Sequence, residues 1–265
     1  MADYSYIPIT NFQLLLSVSL VFITGLISAL LRLGLLKSLL WASFRAFLQL
    51  SLIGYVLTYI FDINKLAIIV PIIILMCYIA SNESVRRIDK APHNPKWLAF
   101  TSLTASTFIV GIIVVTIIIQ PSPWYSAQVA IPIFGMILGN SMNAIALSLD
   151  RMYSEVYSSA DEVETMLAMG ATPWESVNSY MRNAVRAGMT PTINALMVVG
   201  LVSLPGMMTG QILAGMDPQV AVRYQFVVMI MIAAAVAIGC LIIIGLSYKK
   251  MFTDEMALVE DMRKN

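Results

Sequence analysis

Methionine and amide side chains set within long apolar runs are the groups of this 265-residue chain best suited to touching a solute. Met136, Asn140, Met142 and Asn143 fall in one run; Ser203, Pro205, Gly206, Met207, Met208 and Gln211 fall in another. Thioethers suit soft ions such as Cu(I), whereas iron favours carboxylate or imidazole. The apolar runs hold no central carboxylate, and the single histidine, His93, sits in a basic loop, so no metal ligand set is assigned. A weak path built from Met, Asn and freed main-chain carbonyls remains possible, because a carrier must also release its cargo. Pro205 lacks an N–H and Gly206 lets neighbouring backbone approach, so this pair reads as a break or hinge in a membrane helix. Packing irregularity is the plainer alternative, and methionine is also an ordinary packing residue. Gly206 with Gly210, and Gly135 with Gly139, have the spacing of small-residue faces for close helix contact.

The second constellation is polar. Ser159 and Glu162 have the spacing of a capping box, and Val163, Met166 and Leu167 then make one apolar stripe. Gly170 stands where a helix-ending glycine belongs. Thr172-Pro173-Trp174-Glu175 opens a second helix with another box, Arg182 and Arg186 favour its C-terminal end, and Thr190-Pro191 repeats the start signal. Two short helices meeting at Gly170-Ala171-Thr172-Pro173 make a compact knob; the alternative is an amphipathic loop lying on a membrane surface.

The elements that must position these groups are membrane helices. Apolar residues are 59% of the chain and charged ones 12%, about half of what a soluble surface needs. A span takes about 20 apolar residues, which predicts an all-α fold with seven spans: 12–31, 38–60, 66–81, 97–119, 127–149, 191–214 and 226–247. Pro71 lies within the third. MADYSYIPITN has no basic stretch ahead of the first run, so that run is expected to stay as a span. Arg32, Lys37, Arg86, Arg87, Lys90, Lys96, Arg151, Arg182, Arg186, Lys249, Lys250, Arg263 and Lys264 then share one side, against Lys65 and Arg223 on the other. That bias predicts an outside N-terminus, a cytoplasmic C-terminus and a cytoplasmic segment 152–190 within one domain, 1–265. Arg45 lies inside the second span, either snorkelling or pairing with Glu83. Cys77 and Cys240 lie in apolar runs and give no disulfide framework. The basic loop 86–96 is suited to anionic lipid headgroups; the net charge of +1 by itself says nothing about partners, and no nucleic-acid partner is expected.

Glu164-Thr165-Met166-Leu167-Ala168-Met169-Gly170 resembles the EAA-type loop of ABC importer-like permeases, with Thr165-Met166 replacing two alanines. More closely, the chain resembles the permease subunits of Fet-type ABC iron exporters, to which plant aluminium-resistance half-transporters are similar. The residues carrying this are Ile131-Pro132-Ile133, Gly135-Met136-Ile137 and Gly139-Asn140-Ser141-Met142, then Leu167 with Gly170-Ala171-Thr172-Pro173, Arg186-Ala187 and Pro191-Thr192. Val199-Gly200-Leu201-Val202-Ser203-Leu204-Pro205-Gly206-Met207-Met208 is the longest match, continuing through Ala214-Gly215 and Asp217-Pro218 to Tyr224-Gln225. Arg45-Ala46, Gln49-Leu50 and Gly54-Tyr55-Val56-Leu57 also fit.

The resemblance implies an integral permease of a bacterial cytoplasmic membrane that exports iron or a related metal as a homodimer. It implies a separate cytoplasmic ATPase carrying ATP and Mg, docked on Glu164, Leu167, Gly170, Ala171, Thr172 and Pro173. The sequence contains no GxxxxGK[ST] phosphate loop and no catalytic residue is assigned. Two alternatives stay open: an ABC permease for another solute, such as a nucleotide sugar or lipid-like molecule, and an ATP-independent secondary transporter or channel.

Overall fold

The computed structural model describes residues 9–86, 88, 91, 92 and 94–262; Arg87, Lys90, His93, Arg263 and Lys264 lie outside them. The described chain is all-helical, with two isolated bridges and no strand. The helices are α1 Asn11–Leu30, α2 Leu36–Ile63, α3 Leu66–Val85, α4 Lys96–Ile113, α5 Ala127–Ser158, α6 Ala160–Ala168, α7 Pro173–Val198, α8 Gly206–Leu213 and α9 Pro218–Ser247. A π-helical segment, Val114–Ile119, prolongs α4. Among the described residues six helices are long and apolar enough to cross a membrane: α1, α2, α3, α4 with its extension, α5 and α9. The protein is an integral membrane protein.

Local chemistry sets several helix ends. Thr10 and Gln13 close a capping box on α1, and the Asp217 carboxylate accepts from the N–H groups of Gln219 and Val220 at the start of α9. Asn64 ends α2 in the left-handed region at φ 40°, and its side-chain oxygen accepts from the Ala127 N–H at 2.9 Å. That bond ties the end of α2 to the start of α5.

The core forms between α3, α4, α5, α7 and α9, and small residues let these helices approach. Ser102 donates to the Gly239 carbonyl at 2.7 Å across α4 and α9, and Ser148 lies 3.2 Å from the Cys240 sulfur across α5 and α9. A Cβ on Gly188 would meet Ser148, the Ala144 carbonyl and Cys240; one on Gly111 would meet the Phe134 ring at 2.6 Å. Serine and glycine inside apolar spans thus mark helix contacts. Cys77 and Cys240 are buried free thiols.

Contacts fix the directions of the helices. Asn183 reaches Glu155, and Trp174 packs edge-on against Tyr248 at 5.3 Å, so α7 runs antiparallel to both α5 and α9. Helices α5 and α9 are therefore parallel. Between them the chain must travel back along the bundle, which it does in two pieces. At about 1.5 Å per residue, α7 covers about 39 Å from its 26 residues and α8 about 12 Å from its 8.

Several expectations change. Segment 191–214 is not one helix: Pro191 lies inside α7, which starts at Pro173 and ends at Val198. Thr190 does not cap a new helix, because its hydroxyl donates to the Arg186 carbonyl. Arg182 and Arg186 accordingly sit mid-helix. Helix α5 runs nine residues past its expected end, and α9 begins eight residues earlier than expected. Because α5 continues to Ser158, Ser159 is a junction residue at φ −112°, ψ 25° with no side-chain cap. Glu162 instead accepts from the Tyr180 hydroxyl at 2.9 Å. Glu83 pairs with Arg86 at 3.2 Å rather than with Arg45, which is exposed on α2.

Candidate functional site

The knob is built by two opposite helix ends. Helix α6 closes with a Schellman turn: the Gly170 N–H donates to Leu167 O and the Ala171 N–H to Met166 O. Gly170 adopts φ +94°, a left-handed conformation that glycine takes at no steric cost. Two residues later the Thr172 N–H and hydroxyl donate to the Glu175 carboxylate at 2.8 and 2.7 Å. The Glu175 N–H donates to the Thr172 hydroxyl oxygen, completing the box. These bonds, first from the Thr172 hydroxyl and then from its N–H, hold the Glu175 carboxyl below its ordinary value. Burial is the larger of the influences that raise the Tyr180 phenol, with Glu162 adding to it. The knob is pinned by Val163 and Val177, both fully buried, while Met169 and Trp174 stay exposed.

A partner element of this surface carried no signal in the reading of the sequence. Beyond α9, the Thr253 N–H donates to Ala257 O and the Val259 N–H to Met251 O, closing a tight hairpin. Met251, Leu258 and Met262 anchor it in the core. Glu255, Met256, Ala257 and Leu258 face Glu164, Leu167, Gly170 and Ala171 across a cleft of about 520 Å³. Those spaced apolar residues in an otherwise polar tail were the available clue.

The membrane-depth candidates do not converge. Met136, Met142 and Met207 are half-buried against the core. Asn140 is on an exposed face of α5, its amide nitrogen donating to Met136 O at 2.8 Å. The break lies upstream of Pro205-Gly206. Gly200 adopts φ +81° and its N–H donates to Ser203 O; Pro205 is the extended N-cap of α8. Met208 is half-buried on α8, and the Gln211 amide oxygen is buried with no hydrogen-bond partner among the described residues. A Cβ at Gly139, Gly206 or Gly210 would meet nothing within 4 Å, while one at Gly135 would touch Met76. Three of the four small-residue positions are therefore open within one chain. Among the described residues no three His, Cys, Asp or Glu side chains cluster to hold a metal.

The family model described as "Uncharacterised protein family (UPF0014)" matches residues 11–252. The chain belongs to the UPF0014 family. A UPF0014 membrane protein of Synechocystis is 39% identical over 227 residues, covering 86% of this chain and 88% of the relative. The Probable iron export permease protein FetB of Escherichia coli is 35% identical over 254 residues, 95% of each chain. Protein ALUMINUM SENSITIVE 3 of Arabidopsis thaliana is 31% identical over 221 residues, covering 83% of this chain and 80% of the relative. No solved structure matches. A UPF0014 chain of this kind is thus a membrane protein of a family that includes a named permease.

Proposed function

We propose that this chain is the permease subunit of an ABC-type exporter for iron or a related metal. A separate cytoplasmic ATPase supplies the work and carries ATP and Mg. The observation that carries this reading is the continuity of α7. One unbroken helix of about 39 Å, from 26 residues, joins the knob at Pro173 to the break at 199–205. A push on the knob is therefore delivered to the break along one helix, with Pro191 the one interior proline between them. The coupling surface comprises Glu164, Leu167, Gly170, Ala171, Thr172 and Pro173, extended by the C-terminal hairpin across the cleft.

Seven crossings fit this reading, the extra one made in series by the end of α7 and by α8. The parallel course of α5 and α9 supports it, as does the Lys/Arg bias that puts the N-terminus outside. A homodimer is supported by the far half of α7. After Gly188 that helix buries no residue, and α8 buries none. Asn140, Asn143, Thr190 and Asn194 present a polar, exposed surface at this level, which fits a second copy and a path between the two better than lipid. Met136, Asn140, Met142, Ser203, Pro205, Gly206, Met207, Met208 and Gln211 remain the proposed path and hinge set. The name of the Escherichia coli relative supports iron export.

The test is Gly170→Val. Its Cβ meets no neighbour, so any effect comes from the backbone conformation and the added surface bulk. Membrane insertion should persist while co-purification of the proposed ATPase partner is lost. Normal co-purification would remove the knob from the docking role.

A further inference from the structure

Arg182 and Arg186 stand one turn apart in the middle of α7, away from the helix ends whose dipole could use their charge. Among the described residues neither guanidinium has a hydrogen bond or an ion pair. The nearby acids are engaged elsewhere, Glu175 with Thr172 and Glu155 with Arg151. Like charges at this spacing repel each other, so a bound anion relieves a cost as well as making its own contacts.

Both arginines line a groove of about 520 Å³ between α7 and α9, within the usual size of ligand clefts, about 300–1,000 Å³. We propose that this groove holds one anionic diacyl phospholipid, its phosphate on Arg182 and Arg186 and an acyl chain lying between the two helices. The proposal goes beyond the permease reading and does not depend on it.

The lining is polar at one end and apolar at the other. Asn178, Arg182 and Arg186 are on the side toward the knob; Met189 and Ile193 continue the groove away from it, opposite Leu241 of α9. A guanidinium presents paired N–H groups that fit two phosphate oxygens at once. A free phosphate would leave the apolar length empty, and a zwitterionic headgroup would bring its own cation beside the two guanidiniums. An anion with a hydrocarbon tail satisfies both ends.

Depth agrees. A Cβ on Gly188 would meet Ser148, so these two residues share a level. Ser148 is about 32 Å along α5 from Ala127, close to the full thickness of a hydrocarbon layer of about 30 Å. Arg186 and Arg182 lie about 3 and 9 Å farther toward the knob, across a headgroup layer of about 6 Å. Met189 and Ile193 lie on the hydrocarbon side. Basic pockets between helices at this level are where anionic headgroups bind.

Gly245 keeps the groove open. A Cβ there would meet nothing within 4 Å, and Leu241, one turn away, is 62% exposed. A lipid tail in this space fastens α7 to α9 just before the stretch of α7 that buries no residue.

Native mass spectrometry of the purified protein in detergent, titrated with phosphatidylglycerol, phosphatidylcholine or inorganic phosphate, tests this. Wild type should retain phosphatidylglycerol in preference to phosphatidylcholine, and inorganic phosphate should bind far more weakly. Arg182→Gln/Arg186→Gln should bind phosphatidylglycerol about tenfold or more weakly. Gly245→Leu keeps both arginines and fills the tail slot. It should fold, because its side chain enters open space, yet lose the lipid to a similar degree, which decides the question even if the arginine variant fails to fold. Equal binding of the two lipids, phosphate binding as tight as phosphatidylglycerol, or normal lipid binding by either variant would overturn the site. A change of oligomeric state in the arginine variant, read in the same spectra, would give the groove to a second copy instead.

Discussion

The two halves of α7 differ more than any other neighbouring pieces of the molecule. From Pro173 to Gly188 the helix buries Ser176, Val177, Met181, Ala184 and Gly188; from there to Val198 it buries nothing. The first half is clamped between α5 and the end of α9. The second half, and the break beyond it, hold on to little within their own chain. A rod anchored at one end and free at the other transmits displacement, and its free end is where polar groups and left-handed glycine gather.

Gly188 marks the boundary, so the largest effect belongs there. Gly188→Leu would drive a side chain into the Ala144 carbonyl and Ser148. It should lower stability by about 3 kcal/mol or more, read as lost folded yield and early thermal unfolding in detergent. Truncation on either side of the boundary sharpens the contrast. Met181→Ala in the clamped half should cost about 2–3 kcal/mol, whereas Met197→Ala, at a residue 73% exposed, should stay within about 0.5 kcal/mol. Equal losses would abolish the distinction. Thr172→Ala should cost about 1 kcal/mol as a lost N-cap, visible as faster hydrogen exchange confined to the first turn of α7.

The smallest effect is with pH. The carboxyl of Glu175 is lowered by its bonds to Thr172, so the box contributes fully above the unfolded carboxylate value, about 4.3. Its contribution fades only as pH falls through the lower, folded value. The Tyr180 phenol is raised, so its contribution is present below about 10 and is lost as pH rises through the folded value. ATPase co-purification should therefore be flat between about pH 5 and 9; a step within that window would implicate another group.

Hydropathy made the long spans legible, and turn chemistry made the Gly170–Glu175 knob legible, because each signal lies within a few adjacent residues. What could not be read locally was continuity. Thr190-Pro191 has the composition of a helix start, yet α7 runs on through it to Val198, and the Thr190 hydroxyl turns to the backbone instead. Ser159-Glu162 failed for the same reason: the unbroken α5 had already fixed the backbone at Ser159. Pro205-Gly206 looked like the fracture, but the left-handed Gly200 ends the helix first. The C-terminal hairpin needed knowledge of which surface Met251, Leu258 and Met262 would meet.

Helix α5, with 32 residues, is about 48 Å long, some 18 Å more than a bilayer's oily interior and well beyond a headgroup layer of about 6 Å. In the proposed permease the surplus works as a stilt, lifting the Gly170–Glu175 knob clear of the lipid. The proposed ATPase would then engage it without stripping water from phospholipid headgroups, so its grip on the permease should be indifferent to which lipids surround the protein.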